Sequence, residues 1–325
     1  MAKEKKLAAA EAAKVKDAIY FLGPSAKILR FSVRTRAWDK IKLDTSQMFK
    51  GQIKHFSAVG LTDRQKIVLT GGVSIATCLP VASVYEFNVL QMGQGARAKI
   101  KNMHQKRYGH QSAFLRDKLL VFGGFAHPDL PEEPPSTLAA CELLPMGEGQ
   151  WETISPMNTA RAFASACAIA EQYCYLFGGL SDYQILNSIE KYDIITDTWI
   201  SLYFKLPMPL AKLASVSLAD QKSILILGGM SADFEPTNQV WRLDLMMATF
   251  TQKAPMRYDR LIEGGQGAFR ASNGNIFVLN GCLDDLECER YKPSRDAWEL
   301  VPSYRTATNN ESLNPYIGAI VVHRR

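Results

Sequence analysis

The chain has 325 residues, 47% of them hydrophobic and 22% charged, with a formal net charge of +6 at pH 7. This composition is too apolar for a disordered chain, and no run approaches the ~20 apolar residues of a membrane-spanning helix. Length alone would allow two domains, so the organisation has to be read from the elements in order.

Residues 1–17 (M-A-K-E-K-K-L-A-A-A-E-A-A-K-V-K-D) are rich in strong helix formers and predict a short N-terminal helical arm. Glu11 and Lys14 interrupt the apolar stretch, so it does not read as a secretory leader, and two Glu without Arg argue against an organelle presequence. A frayed, solvated helix and a partner-docking arm both stand as readings.

From residue 18 one pattern repeats. A worn copy, A-I-Y-F-L-G at 18–23, is followed by K-I-V-L-T-G-G at 66–72, K-L-L-V-F-G-G at 118–124 and Y-C-Y-L-F-G-G at 173–179. S-I-L-I-L-G-G at 223–229 and N-I-F-V-L-N-G at 275–281 complete the series, and successive copies lie 48 to 55 residues apart. An apolar run closed by Gly-Gly is a strand entering a turn that needs positive φ or close backbone approach. A period near 50 residues marks an array of supersecondary units.

Two further landmarks share the period. An aromatic residue or leucine is followed after six residues by an aromatic, usually tryptophan: Phe31 and Trp38, Leu144 and Trp151, Tyr192 and Trp199, Leu243 and Phe250, Tyr291 and Trp298. The second copy has Phe87 but Gln94, and acids stand two residues before the first member at Glu142, Glu190 and Glu289. Ahead of each Gly-Gly strand lies a small-residue strand, expected at 55–59, 110–114, 163–167, 213–217 and 265–269. Each unit is thus four short strands.

These marks together resemble the kelch-repeat family of β-propellers, over almost all of the chain beyond residue 17. The resemblance implies an all-β, six-bladed kelch-type propeller over 18–325, each blade a four-stranded sheet set around a central channel. The first copy lacks its small-residue strand, and Y-I-G-A-I-V-V at 316–322 supplies one. The C-terminal strand is therefore expected to complete blade one beside 18–22 and remove an open edge.

The loop between second and third strands at 125–140 holds four prolines with Asp129, Glu132 and Glu133, and reads either as a stiff solvated insertion or as a docking loop. Connections between blades carry the opposite charge: Arg97, Lys99, Lys101, Lys106 and Arg107 in 88–107, and Arg257 and Arg260 in 251–264. In a four-stranded meander both sets of loops emerge on one face. A basic face there would attract an acidic protein surface, although charged loops are often only solvated. The basic loops lack interleaved aromatics, which argues against nucleic acid.

The six cysteines form no C-x-x-C pair and read as small core residues of a reducing compartment. The five histidines are too dispersed for a metal cluster, His55 and His110 occupying one structural slot in two copies, so no cofactor is expected. There is no nucleophile elbow, P-loop or dinucleotide fingerprint. No histidine has acids four and eight residues before it, as the iron-dependent members of this fold would require. The expected function is accordingly a non-enzymatic interaction scaffold or adaptor in a cytoplasmic or cytoskeletal assembly. A substrate-recognition adaptor of a ubiquitin ligase is the alternative, and a metal-dependent enzyme on the kelch fold ranks below both.

Overall fold

The computed structural model describes residues 18–22, 28–41, 53–61, 66–88, 97–127, 136–147, 149–262, 267–279, 281, 287–302 and 318–322. The expected arm over 1–17 lies outside them, and no helix occurs among the described residues.

Among the described residues there are six four-stranded antiparallel sheets, five of them consecutive meanders and one joining the two ends of the described chain. Sheet 1 is Gly318–Val322, Ala18–Leu22, Ile28–Ser32 and Ala37–Ile41, and sheet 2 is Ser57–Leu61, Lys66–Thr70, Val84–Asn88 and Arg97–Ile100. Sheet 3 is Gln111–Leu115, Lys118–Phe122, Cys141–Pro145 and Glu152–Ile154; sheet 4 is Ser165–Ile169, Tyr173–Phe177, Ile189–Asp193 and Thr198–Ser201. Sheet 5 is Ala214–Ser217, Ser223–Leu227, Val240–Asp244 and Thr249–Lys253; sheet 6 is Ala268–Arg270, Ile276–Val278, Cys288–Lys292 and Ala297–Val301. The first strands of sheets 2 to 6 and then sheet 1 are successive neighbours, and sheet 1 adjoins sheet 2 again. The sheets therefore stand radially about one axis, as an all-β propeller.

Sheet 1 is built from both ends of the described chain, with Ala18 opposite Val322 and Leu22 opposite Gly318. The Gly-Gly strands are wedged between neighbouring sheets, so they are apolar on both faces: all five residues of Ser223–Leu227 are buried, and four of five in Lys118–Phe122. Outer strands face solvent, as in Thr249–Lys253.

Four tryptophans, in or just before the fourth strands, stitch sheets 1, 3, 4 and 6 each to the sheet before it. Each indole Nε1 donates to a backbone carbonyl at the end of the preceding outer strand: Trp38 to Pro302 at 2.7 Å, Trp151 to Lys101 at 2.8 Å, Trp199 to Ser155 at 2.9 Å, Trp298 to Ala254 at 2.8 Å. Phe250 has no N–H to give and packs on Phe204 instead, ring centroids 6.4 Å apart.

The small-residue strands start one to three residues later than the sequence suggests. Just ahead of them, His55, Gly109, Phe163 and Lys212 hold φ of 54°, 60°, 52° and 51° and turn the chain into the strand.

Candidate functional site

Two sets of loops emerge at one end of the ring, and the backbone ties them together. The second glycine of each pair donates to the incoming connection of the next sheet: Gly72 to the Arg107 carbonyl, Gly124 to Arg161, Gly179 to Leu210, Gly229 to Arg260, all at 2.8 to 2.9 Å. The first glycine lies so close under that connection that a Cβ on Gly123 would collide with the Arg161 carbonyl oxygen. This is why the turn needs glycine.

The residues of positive φ then form a belt around the axis. Gly109 N–H donates to His55 C=O, Phe163 to Gly109, Lys212 to Phe163 and Ile262 to Lys212, at 2.6 to 3.0 Å. Beside this belt sits an aromatic cluster: Tyr108 against Phe125 at 5.2 Å, Phe125 against Phe163 at 5.8 Å, His55 against Phe163 at 5.8 Å. The Lys212 ammonium lies 4.9 Å from the Phe163 ring centroid.

Beneath the loop face, three buried clasps fix the connections. Arg107 Nη2 meets Glu142 Oε1 at 2.6 Å, Arg161 meets Glu190 at 2.5 Å, and Arg260 meets Glu289 at 2.7 Å. The arginines also cap carbonyls, Arg107 those of Gly123 and Ala140 and Arg161 those of Gly178 and Ser188. Each carboxylate accepts backbone N–H groups of the connection, such as His104 and Gln105 on Glu142, and Asn158 and Thr159 on Glu190. Burial lowers the Arg161 pKa and Glu190 opposes the shift.

Two residues expected on a basic binding surface are thereby corrected. Arg107 and Arg260 are both 0% exposed and belong to the clasps, because each carries a charge that only its glutamate and the surrounding carbonyls can satisfy. Lys101, Lys106 and Arg257 are exposed on the connections. Arg97 and Lys99 fall in the outer strand of sheet 2 rather than in a loop. Asp129, Glu132 and Glu133 lie outside the described residues.

Sequence reading missed the apolar loop tips. Ile75 and Leu79 in sheet 2's loop are 38% and 50% exposed, Tyr183 in sheet 4's is 59% and Phe234 in sheet 5's is 56%. Their sequence signal was a large apolar residue among turn formers, after Gly-Gly and outside the strand. At the opposite end, turns between third and fourth strands expose Ile195, Met246 and Met247.

A cavity of about 440 Å³ opens in the central channel, with Ser112, Ala166 and Ser215 on its walls and Arg116, Asp117 and Glu171 from strand turns nearby. Two serine pairs, Ser57 with Ser112 and Ser165 with Ser215, each 2.7 Å apart, join neighbouring inner strands. His110 is buried with Nε2 2.8 Å from Thr70 Oγ1, and burial, then Arg107, holds its pKa well below the usual value. It joins two sheets. Of the five described cysteines, none in a disulfide, four are buried and Cys78 is exposed. Among the described residues no three His, Cys, Asp or Glu side chains gather as a metal site.

A family model described as the KLHDC2/KLHL20/DRC7 Kelch-repeats domain matches residues 64–281. An F-box/kelch-repeat protein of Arabidopsis thaliana is 33% identical over 97 residues, which are 29% of this chain and 35% of that protein. Kelch-like protein 38 of Rattus norvegicus is 22% identical over 286 residues, 83% of this chain and 43% of that protein. Kelch-like protein 25 of Rattus norvegicus is 27% identical over 206 residues, 61% of this chain and 33% of that protein. The chain spans less than half the length of each of these relatives.

Proposed function

The chain belongs to the kelch-repeat β-propeller family, and we propose that it is a protein-interaction module, docking a partner on the loop face of a six-bladed ring closed by its C-terminal strand. The observation that carries this reading is the set of apolar tips, Ile75, Leu79, Tyr183 and Phe234, held out to solvent on that face. Exposed large apolar side chains set on a rigid scaffold are what a docking surface requires. Lys101, Lys106 and Arg257 are the exposed cations that would meet acidic groups of such a partner. In this reading the chain serves as a scaffold or adaptor subunit of a larger cytoplasmic or cytoskeletal assembly, without catalysis of its own.

The test is a photo-crosslinking amino acid placed at Tyr183 in one version of the protein and at Met247 in another, irradiated in native extract. A discrete adduct from position 183 alone is expected. Adducts from position 247 alone would move the site to the other end of the ring and overturn the assignment.

A second reading, substrate-recognition adaptor of a ubiquitin ligase, is favoured by the match to a protein named for an F-box joined to kelch repeats. It predicts cullin-type subunits among the co-purifying proteins, and a partner set repeatedly free of them would remove it.

A further inference from the structure

We propose that the crest of loops between second and third strands docks a basic, apolar-studded segment of a partner protein, a refinement that rests on the loop-face reading above. Charge is partitioned between the two sets of loops sharing this face. Among the described residues the loops from second to third strands hold four carboxylates, Asp182, Asp233, Glu235 and Glu287, and no cation, in a chain of net charge +6. The described parts of the connections from each fourth strand to the next first strand hold nine cations and one carboxylate, Asp259. Three of those cations, Arg107, Arg161 and Arg260, are sequestered in the clasps. The described tips of the crest therefore have the sign opposite to the chain as a whole, and a segment laid on them meets acids.

The described tips show how such a segment would be held. Tyr183 follows Asp182, and Phe234 stands between Asp233 and Glu235; all five are exposed. None of the three acids has an ion-pair partner among the described residues, and Lys212 of the adjoining connection lies over Phe163. Each tip thus offers an apolar face and an unneutralised carboxylate side by side, and the rings add a surface for a guanidinium or ammonium. Sheet 2's loop, with no charged residue over 71–83, contributes Ile75 and Leu79 as apolar contacts only.

Both tips are preformed. In sheet 5's loop, Phe234 N–H donates to Ser231 C=O and Ser231 N–H to Glu235 C=O, each at 2.9 Å, and a two-stranded ribbon, Leu180–Ser181 with Gln184–Ile185, carries Tyr183. Tyr183 and Phe234 both hold φ of 63°, a conformation bulky aromatics rarely adopt. A rigid tip loses little entropy when its ligand arrives.

The experiment selects a phage-displayed library of random 12-residue peptides on the full chain. Expected are enriched sequences combining Lys or Arg with apolar residues. The leading peptide should bind D182K/D233K/E235K roughly tenfold more weakly, three exposed charge pairs each contributing under about 1 kcal/mol. It should also lose affinity for Y183G/F234G, whose glycines accept the same backbone without strain, so that melting temperature is kept while binding falls. Enrichment of acidic peptides, or of peptides indifferent to both variants, would overturn the crest proposal while leaving a protein-binding face in place. No enrichment above bare matrix would bring down both.

Discussion

The Arg161–Glu190 clasp exemplifies what charge in a sequence does not disclose, which is burial. Arg107 and Arg260 looked like surface cations because they sit in connections rich in Lys, yet they are fully buried. The available signal was correlation within the chain. Arginine stands two residues before the belt position in sheets 3, 4 and 6, where the third strand carries Glu142, Glu190 or Glu289. In sheets 2 and 5 both slots change together, to Ile53 with Tyr85 and Leu210 with Trp241. Leu210 and Trp241 pack in one apolar cluster, so the clasp and the apolar pair are two solutions for one site. Breaking a buried pair from one side leaves an uncompensated charge, and Arg161→Leu is expected to cost about 3–5 kcal/mol by urea unfolding. R161L/E190W, which copies the sheet 5 pair, should recover more than half of that. Equal destabilisation by the single and double variants would show that the sites are not interchangeable. His110 supplies a pH-dependent counterpart. Its folded-state pKa is depressed by burial, so the unfolded chain binds the extra proton; stability is fully present above the ordinary value near 6.5 and declines as pH falls below it. The slope approaches about 1.4 kcal/mol per pH unit for one proton. Subtracting the stability curve of His110→Gln from that of the natural protein should isolate this slope between roughly pH 6.5 and 5, and parallel curves would refute it.

At the scale of elements, the Gly-Gly strand was legible because its constraint is local. Apolar residues wedged between sheets need no alternation, and the turn that ends them needs a residue without Cβ. What could not be read was where the inner strands begin, since positive φ at His55, Phe163 and Lys212 is imposed by the belt of hydrogen bonds around the axis and not by residue type. The apolar tips were illegible for a related reason: a Tyr or Phe near a turn is core in one fold and surface in another, and only the loop's exit direction decides. A comparison of glycines tests the local constraint. Gly123 has φ of 62° and a carbonyl of the next connection against its missing Cβ, while Gly147, at φ of 120°, has nothing within 4 Å. Gly123→Ala must both strain the backbone and push Arg161 off its clasp, an expected loss of more than about 3 kcal/mol by chemical denaturation. Gly147→Ala carries the conformational cost alone, of order 1–2 kcal/mol. Similar losses in both would mean that the close approach at Gly123 contributes nothing.

Across the whole molecule, the ring is held by links of one kind repeated from sheet to sheet, and closure depends on whether the link between last and first sheets matches the others. The Trp38 indole donates to the Pro302 carbonyl as Trp199 does to Ser155 within the array, and Phe31 meets Phe277 of sheet 6 at 6.0 Å. The inner strand of sheet 1, Gly318–Val322, pairs with Ala18–Leu22 and also lies against the inner strands of sheets 2 and 6. Removing it exposes the edge of Ala18–Leu22 and takes away the neighbour that both flanking sheets pack on. Because each sheet is buttressed on two sides, loss at this point should propagate around the ring, unlike loss from the end of an open repeat array, where each unit contacts only its neighbours. Deleting residues 316–325 is therefore expected to cost several kcal/mol of the ~5–15 typical of a domain. It should also raise amide exchange in sheets 2 and 6 together with sheet 1. Trp38→Phe keeps the packing but removes one hydrogen bond, so it should cost only about 1 kcal/mol, with protection unchanged beyond sheets 1 and 6. If the deletion variant exchanges faster in sheet 1 alone, with the melting temperature of the rest preserved, the ring is stabilised blade by blade and closure adds little.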